Sequence, residues 1–382
     1  MAETGETPGG ETEATIFTLI SKDDVQGVTE ILRTGSVNVD IVDEHGMTPL
    51  QHAAYRGNET MCRMLLDRGA DVNGGNHNNN YTALHFAALS GKSALCQVLL
   101  QAGAKSHAVN SVGRTPAQMA AFVGNHGCVS TINNFVDRKD VEYFTSVRGL
   151  ETDPKLQSFL VSPVHNLIMQ INFHPVRVAL YVKKNNILLE HIPEVIQVLK
   201  LISEREMKKG ADANEITAFK IHLLSFILTK MQEESVGAKG HDPVENFIKK
   251  MLRCKTPGGI PEQLDILLRE GVRAFPFRET TIMQQLVTNL AHTKLCEDPG
   301  AWGIISSVVN GHKGFRDNDP CATCGDEKGS KKCSRCHFDA YCDKDCQLLH
   351  WFVHKKYCKA KAEEWAKRGT DTSIENPEPI VL

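Results

Sequence analysis

A seven-residue motif returns twice along the chain and fixes how the first third can fold. Thr48-Pro-Leu-Gln-His-Ala-Ala54 is echoed by Thr82-Ala-Leu-His-Phe-Ala-Ala88 and by Thr115-Pro-Ala-Gln-Met-Ala-Ala121, at offsets of 34 and 33 residues. A glycine follows each copy, at Gly57, Gly91 and Gly124. Two copies then run into a second apolar segment, Met61-Cys-Arg-Met-Leu-Leu66 and Leu95-Cys-Gln-Val-Leu-Leu100, closed by Gly69-Ala-Asp-Val-Asn73 and Gly103-Ala104. Threonine and proline start a helix, paired alanines let it lie close to a neighbour, and glycine ends the helix that follows. One such unit cannot bury its apolar face alone, so the units must stack. Ile16 to Gly35 has the same helical spacing without the Thr-Pro-Leu start, which suits a cap on the stack.

These copies resemble ankyrin repeats. Two departures stand out: the usual histidine near the helix start is Gln51 in the first copy and Gln118 in the third, and the finger Gly74 to Tyr81 is one residue longer and rich in asparagine. The resemblance implies a recognition surface at the finger tips, here Met47, Tyr81 and Arg114. It extends to the inner helix ends, here Tyr55, Arg56, Leu89, Ser90, Phe122 and Val123. Aromatic and apolar groups at such places serve a protein partner or pack against the rest of the chain. Cys62, Cys96 and Cys128 fall at equivalent positions of the second helices and read as core thiols.

The expected organisation is mainly α. A leader, 1–14, is polar and acidic and reads as disordered. Ankyrin repeats span 15–137, and an all-helical middle domain spans 150–312. A compact metal-bearing segment follows at 318–360, then a helix end and tail at 361–382. The middle shows apolar residues at helical spacing, as in Val195-Ile-Gln-Val-Leu-Lys-Leu-Ile202, broken by Gly- and Pro-bearing loops. The tail Pro377-Glu-Pro-Ile-Val-Leu382 reads as a disordered end, with strand addition through Ile380 and Leu382 as the alternative. No stretch approaches the ~18 unbroken apolar residues of a membrane span, and no basic-then-apolar leader marks a secretory signal. With 43 basic against 46 acidic residues, the chain is not a general electrostatic nucleic-acid binder.

Of twelve cysteines, seven lie between Cys321 and Cys358. They read Cys321-x2-Cys324, Cys333-x2-Cys336, Cys342-x3-Cys346 and His354-x3-Cys358, which supplies eight donors for two closed tetrahedral zinc sites. So little chain lies between the pairs that metal must supply much of the folding free energy, on the order of ten kcal/mol per site. Closed coordination leaves no position for a reacting water. His337 and His350 lie beside ligand positions but are surplus to two filled sites, and read as surface or supporting groups. The segment resembles the MYND zinc finger, down to Tyr341-Cys342 and His350-Trp351-x2-His354-Lys355-x2-Cys358. That resemblance implies cross-bracing, with Cys321, Cys324, Cys342 and Cys346 on one zinc and Cys333, Cys336, His354 and Cys358 on the other. It also implies docking of proline-rich peptides at Gln347 and Trp351. The alternatives are that Trp351 simply covers the zinc core, and that the cluster is a RING, which normally has other spacings.

Enzymes that carry a MYND finger need further motifs. The Asn-His-x-Cys string Asn125-His126-Gly127-Cys128 falls inside the third repeat without the tyrosine-bearing C-terminal segment of a SET domain, and the single His-x-Asp triplet, His337-Phe-Asp339, lies inside the finger. Walker, Gly-x-Ser-x-Gly and nucleotide fingerprints are absent from the sequence. The order ankyrin repeats, helical middle, MYND finger resembles the ankyrin repeat and MYND domain-containing protein 2 family. Gly46-Met-Thr-Pro-Leu50, Ala87-Ala-Leu-Ser-Gly91 and Asn110-Ser-Val-Gly-Arg114 carry the likeness. The resemblance implies a non-enzymatic cytoplasmic adaptor that helps signalling membrane proteins, or their chaperones, reach the cilium, affecting Hedgehog-type signalling. A transcriptional corepressor that docks peptides, or an enzyme with unrecognised chemistry in the helical middle, is the alternative.

Overall fold

The computed structural model describes residues 8–367 other than 36, 76, 150, 211–212, 238–241, 312–318, 327–328 and 330; for 8–14 and 235–237 it describes the backbone alone. The chain forms two compact units. One comprises residues 1–137 with 209–214 and 309–312, and the other comprises 138–208, 215–308 and 313–382. Residues 1–7 and the tail from 368 lie outside the described residues, so neither the start of the leader nor Ile380 and Leu382 has a structural account. The first helix begins at Pro8, inside the expected 1–14 leader, and runs to Ser21.

In the first unit, helix pairs stack in sequence. They are Pro8–Ser21 with Val25–Arg33, Pro49–Arg56 with Glu59–Asp67, Ala83–Ser90 with Ser93–Gln101, and Pro116–Phe122 with His126–Asn134. Each inner helix of the three full repeats opens on a capping box. Thr48, Thr82 and Thr115 accept a hydrogen bond from the backbone N–H three residues on, and the side chain of that later residue accepts from the threonine N–H. Two orphan donors of each helix start are thereby satisfied.

The departures from histidine prove neutral at this site. The Gln51 Oε1 accepts from the Thr48 N–H at 3.0 Å, as the His85 Nδ1 accepts from the Thr82 N–H at 3.1 Å. The far end of each side chain reaches the next finger: Gln51 Nε2 donates to the Tyr81 carbonyl at 3.0 Å, and His85 Nε2 meets the Arg114 carbonyl at 3.0 Å. Glutamine and a neutral imidazole both place an acceptor and a donor at opposite edges of a flat group, so either ties a helix start to the following repeat.

Left-handed glycines at Gly57 (φ 71°) and Gly91 (φ 74°) end the first two inner helices. The extra finger residue is absorbed at Asn80, whose φ of 55° turns the chain left-handed, a conformation asparagine tolerates. Neighbouring fingers still pair, through the Asn78 N–H to the His45 carbonyl at 3.1 Å and the Ser111 N–H to the Asn79 carbonyl at 2.9 Å. Leu50, Leu65, Leu84, Leu95 and Leu99 fill the core together with Cys62, Cys96 and Cys128, all fully buried. Burial pushes the Cys62 thiol up to about 12, with Glu59 adding to the effect, as suits a packing group.

The second unit holds the helical middle and the finger together. Helices Ile192–Met207 and Glu215–Gly237 make its most extensive pair, joined by Pro175–Lys184, Pro243–Leu252, Glu262–Arg273 and Thr281–Ala291. Phe219, Ile221, Leu223, Leu224, Ile227 and Leu228 are all buried, so the Glu215–Gly237 helix is wrapped on several sides rather than along one stripe. A buried polar clamp closes one end. The Asp265 carboxylate accepts from Arg269 at 3.0 Å and from the Ala301 N–H at 2.7 Å, and Arg269 in turn donates to the Leu290 and Lys294 carbonyls. The strand pair among the described residues is Lys331–Lys332 against Ala340–Tyr341, antiparallel, within the finger.

Candidate metal centre and binding surfaces

The two Cys-x2-Cys pairs form matching turns. The Gly325 N–H donates to the Cys321 carbonyl and the His337 N–H to the Cys333 carbonyl, each at 2.9 Å. In both turns the residue after the second cysteine is left-handed: Gly325 at φ 65° and His337 at φ 52°. His337 therefore occupies a backbone position that the turn requires, and its ring stacks on Trp365 at 4.2 Å, away from either donor set. The third pair straddles the start of helix Lys344–His354: Cys342 immediately precedes its N-cap Asp343, which accepts from the N–H of Cys346, inside the helix, at 2.8 Å. His354 ends that helix, and Cys358 begins the helix Cys358–Lys367.

These elements gather the donors into two sets, Cys321, Cys324, Cys342, Cys346 and Cys333, Cys336, His354, Cys358, with the donor atoms of each set within 4.8 Å of one another. The sets are the cross-braced ones. A tetrahedral zinc with bonds of ~2.3 Å to sulfur and ~2.0 Å to nitrogen requires S···S separations of about 3.8 Å and S···N of about 3.5 Å. The spacings are 3.6 Å for Cys324 to Cys342, 3.9 Å for Cys333 to Cys358, and 3.5 Å from the Cys336 Sγ to the His354 Nε2. Sulfurs so spaced are far from the ~2.05 Å of a disulfide. Both sets are closed and nearly all their members buried, so they fit two structural zinc ions whose chemistry is to hold the fold.

Sequence spacing gives Asp339 no role beyond its place in a His-x-Asp triplet. Its carboxylate accepts from the His354 Nδ1 and from the Tyr357 hydroxyl, each at 2.6 Å, and lies 3.4 Å from the Tyr341 hydroxyl. Burial works to raise its pKa, but the bonds from His354 and Tyr357 outweigh it and hold the carboxyl below its ordinary value. An ionised Asp339 fixes the His354 tautomer with Nε2 free to face metal. His350 stands 3.1 Å from the Tyr341 hydroxyl within the same buried network. Asp339, His350 and His354 lie close enough to hold an ion of their own, but His354 already belongs to the zinc set. We read them as its support.

The expected finger contacts separate. Gln347 is fully buried, and neither atom of its amide has a hydrogen-bond partner among the described protein groups, so it does not present itself to a peptide as expected. It lies on the same helical face as His350 and His354, which turns it inward. Trp351 is half-buried, its ring 5.7 Å from that of His354.

In the ankyrin unit, Tyr55 and Phe122 are 60% and 70% exposed, and Val123, Arg56 and Arg114 are also exposed. Arg56 is engaged by Asp23 at 3.2 Å, and the Arg114 guanidinium lies 4.6 Å over the Phe122 ring. Met47 and Tyr81 pack on the core, while Leu89 and Ser90 are half-buried. Sequence reading missed Val42, Val109 and Val112 in the fingers, which are at least half exposed. Their signal was an apolar residue in a polar finger.

A family model described as ankyrin repeats, in three copies, matches residues 15–110, and one described as MYND finger matches 321–358. A Caenorhabditis elegans protein named Dauer abnormal formation protein 25 is 30% identical over 364 residues, covering 94% of this chain and 92% of that protein. The chain belongs to the family of Dauer abnormal formation protein 25. Membership in the Dauer abnormal formation protein 25 family covers both compact units and the finger, which a shared repeat would not do. A Saimiri boliviensis boliviensis protein named ankyrin repeat, SAM and basic leucine zipper domain-containing protein 1 is 45% identical, but over 49 residues, 13% of this chain and 10% of that protein. Both matched modules are protein-interaction modules. Among the described residues no helix is long and apolar enough to cross a membrane.

Proposed function

We propose that this protein is a non-enzymatic adaptor that carries signalling membrane proteins, or their chaperones, toward the cilium, one partner held on the ankyrin surface and another at the finger. The observation that carries the adaptor reading is the exposure of Tyr55, Phe122 and Val123 at the inner helix ends, on a stack whose core is otherwise closed. The two metal sets support it from the other side, since closed coordination leaves the finger a platform without a reactive position. The ciliary and Hedgehog-type part rests on resemblance to the ankyrin repeat and MYND domain-containing protein 2 family. At the finger, docking of a proline-rich peptide now rests on Trp351 alone.

Affinity purification from ciliated cells, comparing the intact chain with Tyr55→Ser/Phe122→Ser and with Trp351→Ala, tests the reading. The first variant should lose one set of partners and the second another, at unchanged melting temperature. Partner sets unaffected by both changes would sink it. A predominantly nuclear protein with chromatin partners would favour the corepressor alternative.

A further inference from the structure

Helix Pro243–Leu252 and the loop after it face the end of the finger helix across a cleft of about 1360 Å³. That exceeds the ~300–1,000 Å³ of ordinary small-molecule sites and suits a stretch of peptide. Its charge is lopsided. Lys249, Lys250, Arg253, Lys255, Lys355 and Lys356 line it against Glu233, Glu234 and Glu262. All three carboxylates are engaged by lysine: Glu233 by Lys230 at 2.9 Å, Glu234 by Lys250, and Glu262 by Lys255 at 2.6 Å. Lys249 pairs with Glu245 at 2.6 Å. Arg253, Lys355 and Lys356 are exposed, and among the described residues no carboxylate pairs with them. Phe352, half-buried, and the Cys254 side chain add less polar wall between these cations.

We propose that this cleft docks an acidic peptide segment of a partner protein. Its carboxylates would meet Arg253, Lys355 and Lys356, and an apolar side chain would rest on Phe352. Charge complementarity of this kind selects partners and speeds encounter. A nucleic acid fits less well, because its continuous phosphates would run past three glutamates. A lipid surface fits less well because the cations line a concave wall that a flat bilayer does not enter. Neither Trp351 nor any residue of the ankyrin repeats is among the residues that line this cleft, so variants at Tyr55, Phe122 or Trp351 leave its lining intact and the two readings can fail separately.

The test uses the zinc-loaded full chain and a fluorescent peptide of alternating glutamate and leucine, about a dozen residues long. Its lysine-for-glutamate counterpart, a single-stranded RNA and phosphatidylserine vesicles serve as competitors. The acidic peptide should bind alone among them, and its affinity should fall at least tenfold as salt rises from about 0.05 to about 0.5 M. Arg253→Glu/Lys355→Glu/Lys356→Glu should weaken it at least tenfold and admit the lysine peptide instead. Lys355→Gln/Lys356→Gln, with melting measured alongside, guards against a misfolded triple variant and should give a smaller loss. Equal binding of acidic and basic peptides, preference for RNA or vesicles, or affinity indifferent to both variants would overturn the proposal.

Discussion

At His85 the structure places a buried imidazole whose Nδ1 must accept from Thr82 while its other nitrogen faces the Arg114 carbonyl. Only the neutral ring does both. Burial holds its pKa below the ordinary 6.5, against a smaller raising effect of the Arg114 carbonyl. The unfolded chain therefore takes up the proton first, so His85 contributes stability that is present above about pH 6.5 and lost as pH falls through the folded value. The first and third repeats use glutamine at this position and have no such group. His85→Gln should keep the cap and flatten the loss of stability between pH 7 and about pH 5. Urea denaturation of both proteins across that range checks it, and equal pH slopes would refute the assignment. Asp339 lends itself to a second test. Asp339→Ala should lower affinity for one of the two zincs by about 10- to 100-fold, with Asp339→Asn in between because it can still accept from His354. Competition with a chromophoric chelator would read this, and a variant that holds both zincs as tightly as the parent would show that Asp339 does not orient His354. The ligands themselves were legible because their spacing is local chemistry. Asp339 was not, because its bonds to His354 and Tyr357 span 15 and 18 residues.

At the scale of elements, repeat helices could be read from sequence because each carries its own start and stop. Thr48, Thr82 and Thr115 cap within three residues, and Gly57 and Gly91 end the helix locally. The Glu215–Gly237 helix could be read as helix from its apolar spacing, but not which face it buries, since its apolar residues do not keep to one face. Lys220 shows what that hides. It is 1% exposed, donates to the Ile168 carbonyl and lies 5.9 Å from the centre of the Phe173 ring, with burial driving its amine from 10.5 down to about 7. Between those values the unfolded chain binds the extra proton, so stability rises with pH across that window and is lowest below about pH 7. Lys220→Met should remove this slope and raise stability at pH 7. After the lost hydrogen bond to Ile168 the gain should be on the order of 2 kcal/mol. Denaturant midpoints at pH 7 and pH 9.5 measure it, and a variant less stable than the parent at pH 7 would show that the amine is needed where it lies.

Across the whole molecule, the finger is part of the second unit's architecture rather than an appendage. The Asn172 Nδ2 donates to the Cys324 carbonyl at 3.0 Å. Gly325, the left-handed residue after that ligand, brings its backbone against His174 and Trp302, where a Cβ would sit 3.0 Å and 3.1 Å from their rings. Phe338 closes on Gly258 in the same way. The contact of Asn172 with Cys324 joins residues 152 positions apart, and these contacts left no local trace, since neither Asn172 nor Trp302 sits in a motif. They carry a consequence that separate domains would not have. Zinc at Cys321 and Cys324 would hold the turn that positions Gly325, so removing it should release the surface at Asn172 to His174 and at Trp302 along with the finger. Hydrogen exchange before and after treatment with a strong chelator should show protection lost across 321–358 and also at the start of helix Pro175–Lys184 and around Trp302. Re-addition of zinc, at two ions per chain, should restore both regions together. If loss stays confined to 321–358, the helical segments hold their shape without the finger, and these contacts are a surface match with no share in the stability of the unit.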